Sequence, residues 1–197
     1  MVAHRGLSSL APENSLPAFE KAVEYGFDGY EFDIHTTKDG EWVVIHDDTV
    51  DAMTDGTGLV SDFTLEEIRA LRLDSGNGIE EYAELRVPTL EEALSVGVDK
   101  DIFPVIEIKE CDPERLPAFM EILEEYGLTD KAVLIAFNTE YLEICRELNK
   151  DIQMLSLVTS PKKADIDWCI EHNAGLNYCF GYLAPSFSAI SYARENS

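Results

Sequence analysis

Residues 28–48 read DGYEFDIHTTKDGEWVVIHDD. Two runs in this stretch, 29–34 and 41–46, have the apolar and aromatic content of β-strands, and Lys38-Asp39-Gly40 between them supplies a turn. Side chains alternate faces along a strand. Tyr30, Phe32 and Ile34 therefore point one way, and Glu31 and Asp33 the other. In the second run Val43 and Ile45 share one face, while Val44 and His46 share the opposite one. The apolar faces can pack under helices. The remaining face carries two carboxylates and, at a strand end, an imidazole. Burying unpaired charge is very costly, so two acids on one inner strand face call for a cation beside them.

Outward from this stretch the chain alternates strand and helix. Residues 2–4 form a short strand, followed by Arg5-Gly6 and an irregular loop. Asn14 or Ser15 can cap a helix with Pro17 in its first turn, running to about Tyr25 and stopped by Gly26. Beyond the central pair, Thr64-Leu65-Glu66-Glu67 and Thr89-Leu90-Glu91-Glu92 are capping boxes that open helices reaching about Leu71 and Val96. Strands are then expected over 103–108, 132–137, 152–158 and 174–179. Helices are expected over 113–126, 139–148, 161–172 and 185–194. Repeated βα units with near-continuous apolar strands imply a parallel sheet covered by helices. A (β/α) barrel needs about eight strands and typically ~250 residues. Seven strands and 197 residues fall short at the C-terminal end.

The length suits one domain, 1–197, with a sizeable core. No run approaches the roughly 20 apolar residues of a membrane span. The opening Met1-Val2-Ala3-His4 reads as strand rather than leader, and Cys111, Cys145, Cys169 and Cys179 include no CxxC pair, so free thiols and a cytoplasmic location are expected. Fifteen basic against 39 acidic residues give a net charge of −24, which argues against nucleic acid or an anionic membrane as partner. A negatively charged substrate would need a local cation to approach, and a bound metal would supply one.

The chemistry-bearing residues gather at strand ends. His4 ends the first strand, Glu31 and Asp33 line the second, His46 ends the third, and Glu107 and Lys109 lie on the fourth. In a parallel barrel those C-terminal ends share the active-site rim. Glu31, Asp33 and Glu107 offer hard oxygen ligands that suit Mg²⁺ or Ca²⁺ rather than zinc. The two histidines suit a general acid and a general base near neutral pH. With Arg5 and Lys109, the set describes a metal-assisted phosphoryl site. His35 is assigned to the face opposite the acidic pair and, like His172 at a helix end, is read as structural. Lys109 also has a plain alternative, neutralising Glu107. The acid runs Glu80-Glu81, Glu91-Glu92 and Glu124-Glu125 read as solvated, and Phe119, Met120, Trp168 and Tyr178 as packing.

The order His4-Arg5-Gly6, Pro12-Glu13-Asn14-Ser15, Glu31-x-Asp33, Thr37-Lys38-Asp39-Gly40, His46-Asp47, Thr54, Gly58, Pro88-Thr89-Leu90 and Glu107-x-Lys109 resembles the glycerophosphodiester phosphodiesterase family, closely over residues 2 to about 110 and loosely to about 160. The resemblance implies a TIM-type barrel that hydrolyses a glycerophosphodiester to glycerol 3-phosphate and an alcohol. It implies His4 and His46 as the acid/base pair and a divalent ion on Glu31, Asp33 and Glu107. Arg5 and Lys109 would bind phosphate oxygens, and Glu13 would position Arg5.

The sequence also departs from the family. Ala52 stands where an arginine is usual and Ala136 where a serine is common, and the late Trp-Thr-x-Asn and Gly-x-Asp-like strands are missing. The expectation is a C-terminally incomplete barrel whose open sheet edge favours pairing with a second copy. Two other readings share this scaffold. One is a lysophospholipase D or sphingomyelinase-D-like enzyme using Phe180, Tyr182, Leu183 and Phe187 as an apolar lip. The other is a degenerate barrel that binds metal or phosphate without turnover.

Overall fold

The first strand, β1 (Val2–Ala3), enters the sheet beside the second and leaves it through His4-Arg5-Gly6. In this computed structural model, residues 1–178 and Tyr192 are described. The helix expected over 185–194 (Tyr192 aside), Cys179, and the apolar set Phe180, Tyr182, Leu183 and Phe187 lie outside the described residues.

Ser15, not Asn14, caps α1 (Leu16–Glu24), accepting from the Ala18 N–H, and Pro17 sits in the first turn. Gly6 has φ +72°, and a Cβ there would lie 2.7 Å from the Ala18 backbone, so only glycine lets the loop cross α1 this closely. β2 (Gly29–Thr36) is buried along all eight residues. A tight turn, closed by Gly40 N–H to the Thr37 carbonyl at 2.9 Å, leads into β3 (Trp42–Val44).

The seven expected strands are present, but β3 departs from the expected parallel arrangement. It pairs with β2 antiparallel, Ile34 opposite Val44 and Thr36 opposite Trp42, so it is the return arm of a hairpin and not a third parallel strand. Five residues separate β2 from β3, and a parallel partner would need a crossover of about a dozen or more. The other side of β3 is bridged to Thr89 at Val43. Its outward residues Val43 and Ile45 rest on a small separate cluster with Val50, Val60, Ile68, Leu73 and Val87. Ile68 comes from α2 (Leu65–Ala70), and both α2 and α3 (Leu90–Gly97) open with the expected capping boxes at Thr64 and Thr89.

From there the βα alternation runs as expected. β4 (Phe103–Ile108), α4 (Leu116–Glu125), β5 (Val133–Ala136), α5 (Thr139–Leu148), β6 (Gln153–Val158), α6 (Lys163–Glu171) and β7 (Gly175–Tyr178) follow in turn. The parallel strand order is β1-β2-β4-β5-β6-β7, with β3 attached to β2. This is the sheet of a TIM-type (β/α) barrel. Eight strands close such a barrel; six parallel strands stand among the described residues, and there β1 and β7 each pair on one side only.

The main core forms on the helix side of the sheet. Tyr30, Phe32 and Ile34 of β2 are fully buried with Phe19 of α1, Leu90 and Leu94 of α3, Ile106 of β4 and Phe119 of α4. Phe19 packs on both Tyr30 and Phe32 with ring centroids 5.4 and 5.5 Å apart. Trp42 of the hairpin joins through Phe119, 5.4 Å away, and thereby ties β3 to the barrel. The same alternation that buries this face turns Glu31 and Asp33 to the other side. Among the described residues no helix is long and apolar enough to cross a membrane, and Cys111, Cys145 and Cys169 are free thiols.

Phe119 is the anchor shared by barrel and hairpin. Phe119→Ala is expected to lower unfolding free energy by about 3–5 kcal/mol, read from urea denaturation followed by far-UV circular dichroism. A loss well under about 1 kcal/mol would show that β3 is not held through this contact.

Candidate active site

The β2–β4 register places Glu107 directly beside Asp33, so the two strands converge three carboxylates on one face. One oxygen from each of Glu31, Asp33 and Glu107 lies within 4.8 Å of the others, and all three residues are buried. Burial, followed by the charges of Asp33 and Glu107, pushes the Glu31 carboxyl up to about 8, only partly offset by the Arg5 N–H. That is the signature of a site short of positive charge.

Each acid has one oxygen already held by the protein. Glu31 Oε2 accepts the Arg5 backbone N–H at 2.6 Å, Asp33 Oδ2 accepts from Asn14 Nδ2 at 2.8 Å, and Glu107 Oε1 accepts from Lys109 Nζ at 3.0 Å. Asp33 Oδ1 is buried without a hydrogen-bond partner. A free buried oxygen within a trio of hard donors fits a hard divalent cation, and the absence of thiolate or imidazole in the trio disfavours zinc.

Two side-chain cations border the trio. Lys109 follows β4, where its N–H continues the ladder to the Ile34 carbonyl at 3.0 Å. Its Nζ lies 4.0 Å from Asp33 Oδ1 and 3.4 Å from His46 Nε2, so it does more than neutralise Glu107. Arg5 is in the left-handed region at φ +55°. Its Nη1 donates to Glu13 Oε1 at 2.8 Å, while Nε, 3.7 Å from Asp33 Oδ2, is buried without a hydrogen-bond partner.

The histidines reach the site by different routes. β2 extends three residues beyond Asp33, and the hairpin then brings the chain back until the Ile45 N–H donates to the Asp33 carbonyl at 3.1 Å. His46 follows at the level of the acids. Its Nδ1 lies 2.6 Å from Asp47 Oδ1, which holds the Nδ1–H form and leaves Nε2 toward Lys109. His4 stands half in solvent past β1. Loss of solvent, then the Arg5 charge, hold its imidazole below the ordinary value against the opposing pull of Asp33 and Glu13, so it is largely neutral at pH 7.

All eight residues singled out from the sequence thus come together on one rim: His4, Arg5, Glu13, Glu31, Asp33, His46, Glu107 and Lys109. The placement of His35 is corrected. β2 runs on through Thr36, so His35 shares the parity of Glu31 and Asp33 and faces their side, not the opposite one. Its Nε2 meets the His46 carbonyl at 3.2 Å, and Asp48, Lys109 and His46 all act on its charge. The structure adds two contacts to this set: Asn14 on Asp33 and Asp47 on His46. The strand alternation signalled His35, and adjacency signalled Asp47. Asn14 was masked by its fitness as a helix cap.

By fold the chain is of the TIM-type (β/α) class, with three buried carboxylates, two histidines, a lysine and an arginine on its strand-end rim. More narrowly, residues 4–183 match the Glycerophosphoryl diester phosphodiesterase family, and the chain belongs to it. A glycerophosphodiester phosphodiesterase from Caldanaerobacter subterraneus subsp. tengcongensis is 44% identical over 142 residues, 70% of this chain and 58% of that protein. Human glycerophosphodiester phosphodiesterase 1 is 33% identical over 153 residues, 77% of this chain and 46% of that protein. The chain therefore spans about half to three fifths of these two relatives. A phosphodiesterase from Oleispira antarctica, solved with its product sn-glycerol-3-phosphate, superposes with a TM-score of 0.89 at 28% identity, over 99% of this chain and 80% of that one.

If the trio holds a divalent ion, Mg²⁺ or Ca²⁺ will raise the melting midpoint. Saturation to about a hundredfold over Kd is worth about 2.7 kcal/mol, on the order of 5–10 °C for a chain of this size. Asp33→Asn is expected to remove the rise. A midpoint indifferent to both ions in the unmodified protein would sink the assignment.

Proposed function

We propose that the chain is one catalytic barrel domain that hydrolyses glycerophosphodiesters to sn-glycerol 3-phosphate and an alcohol, using a divalent cation and a histidine pair. The observation that carries this reading is the placement of His46 Nε2 3.4 Å from Lys109 Nζ, itself 3.0 Å from the Glu107 end of the acidic trio. Proton transfer, anion binding and cation binding then fall within one small volume. The family membership and the product bound to the Oleispira antarctica protein support the substrate class.

Glu31, Asp33 and Glu107 would hold Mg²⁺ or Ca²⁺. The ion would polarise the phosphoryl group and offset repulsion between the substrate anion and the carboxylates. The remaining work falls to the chain's own residues. Arg5 and Lys109 bind phosphoryl oxygens and stabilise the charge that grows on them in the transition state. Glu13 fixes the Arg5 guanidinium by its 2.8 Å contact. Of His4 and His46, one takes the proton from the attacking oxygen as the new P–O bond forms: water directly, or a substrate hydroxyl that gives a cyclic phosphate which water then opens. The other gives a proton to the alkoxide released as the old bond breaks. Asp47 keeps the His46 ring in the tautomer this needs. The hollow beyond Glu107 and Lys109, bordered by Asp48, Glu110 and Phe137, gives the leaving alcohol a berth of mixed polar and apolar lining.

The test is release of sn-glycerol 3-phosphate from glycerophosphocholine by this chain, with Mg²⁺ or Ca²⁺ and then with excess chelator. Release is expected with metal and not with chelator. His46→Ala is expected to lower kcat by about 10²–10⁴-fold with its unfolding midpoint kept. Preference for a lysophospholipid over glycerophosphocholine would move the assignment to a lysophospholipase D-like enzyme. Metal binding without turnover on either would make the domain a binding module.

A further inference from the structure

Asn14 is buried among charged neighbours, yet both polar atoms of its side chain are directed at one residue. Nδ2 donates to Asp33 Oδ2 at 2.8 Å, and Oδ1 accepts the Asp33 backbone N–H at 3.2 Å. The amide thus closes a ring with the carboxylate and main chain of Asp33, which leaves that side chain no freedom to turn. The neighbouring Ser15 supplies the cap of α1, so the helix does not need the Asn14 side chain. The backbone of Asn14 is left-handed, φ +51°, a conformation that asparagine tolerates far better than most residues. Its own N–H donates to the Arg5 carbonyl at 3.0 Å. Arg5 is left-handed as well, and presents its N–H to Glu31. The two ends of the 5–14 loop are therefore clasped together, and each end grips one acid of the trio.

The consequence concerns which oxygen of Asp33 remains. With Oδ2 held by the amide, Oδ1 is the buried atom without a hydrogen-bond partner, and it lies on the side of Lys109. We propose that Asn14 is a positioning residue that turns Asp33 so that Oδ1 alone faces the cation. The inference rests on the reading of Glu31, Asp33 and Glu107 as a divalent-ion site. Groups that orient a metal ligand without touching the metal commonly govern affinity as much as ligands do. A loop staple with no bearing on the ion would instead contribute only to stability.

The discriminating variant is Asn14→Gly, because glycine accepts the left-handed backbone and removes only the side chain. The measurement is isothermal titration of the apo protein with Mg²⁺ and with Ca²⁺, beside a melt in chelator and the metal dependence of turnover. Affinity is expected to fall about ten- to hundredfold, with a matching rise in the metal needed for half-maximal turnover and recovery of kcat at saturating metal. A variant that melts lower in chelator but binds the ions like the unmodified protein would overturn the proposal. If the unmodified protein binds neither ion, the metal reading fails and this inference with it. Should Asn14→Gly not fold, Asn14→Ala decides. It removes both amide contacts to Asp33 and adds no charge to the site. Weakened binding supports the proposal, and retained binding overturns it.

Discussion

Three carboxylates buried within reach of one another are the constraint on which this structure turns. Like charges removed from water repel strongly, and the acids have no apolar alternative at their positions. The protein answers with donors placed from three directions: a backbone N–H from the 5–14 loop, an asparagine amide, and a lysine ammonium from the strand beside. Each meets one oxygen of one acid. What remains unmet among the buried oxygens of the trio is Asp33 Oδ1. The local chain geometry follows from this need. Arg5 and Asn14 both take left-handed backbones, and Gly6 crosses α1 at a distance no Cβ would allow.

The same strand that creates the problem builds the fold. Period two sends Tyr30, Phe32 and Ile34 into the helix-covered core and Glu31, Asp33 and His35 to the rim side. Core and site are thus two faces of one register. A slip of one residue would exchange them, burying acids among Phe19 and Leu94 and presenting aromatic rings to the rim side. The aromatic packing that holds β2 in register therefore also holds the acids in place.

Much of this was legible from residue pattern alone. The alternation in 28–48, the capping boxes at Thr64 and Thr89 and the continuous apolar run of β4 each follow from local physics, and the structure keeps them within a residue or two. His4, Glu31, Asp33, Glu107 and Lys109 were legible as a group because strand ends in a parallel sheet converge, whereas Glu13 was legible only through the family resemblance. What escaped notice had local causes too. The hairpin sense of β3 lay in the shortness of its connector, not in its composition. The face of His35 was fixed by parity alone. Asn14 and Ser15 are equally good caps by type, and only three-dimensional proximity to Asp33 separates their duties.

The return strand has a separate footing. His4 is carried by the barrel itself, but His46 arrives on a hairpin whose outer side rests on Val50, Val60, Ile68, Leu73 and Val87, a cluster apart from the main core. Small clusters open at lower free energy than the body they adjoin. The two histidines are thus mounted on different parts of the fold, as headstock and tailstock stand on one lathe bed. Alignment across the gap is a property of the junction at Trp42 and Phe119, and loosening that junction would misalign the pair while leaving the barrel's secondary structure standing.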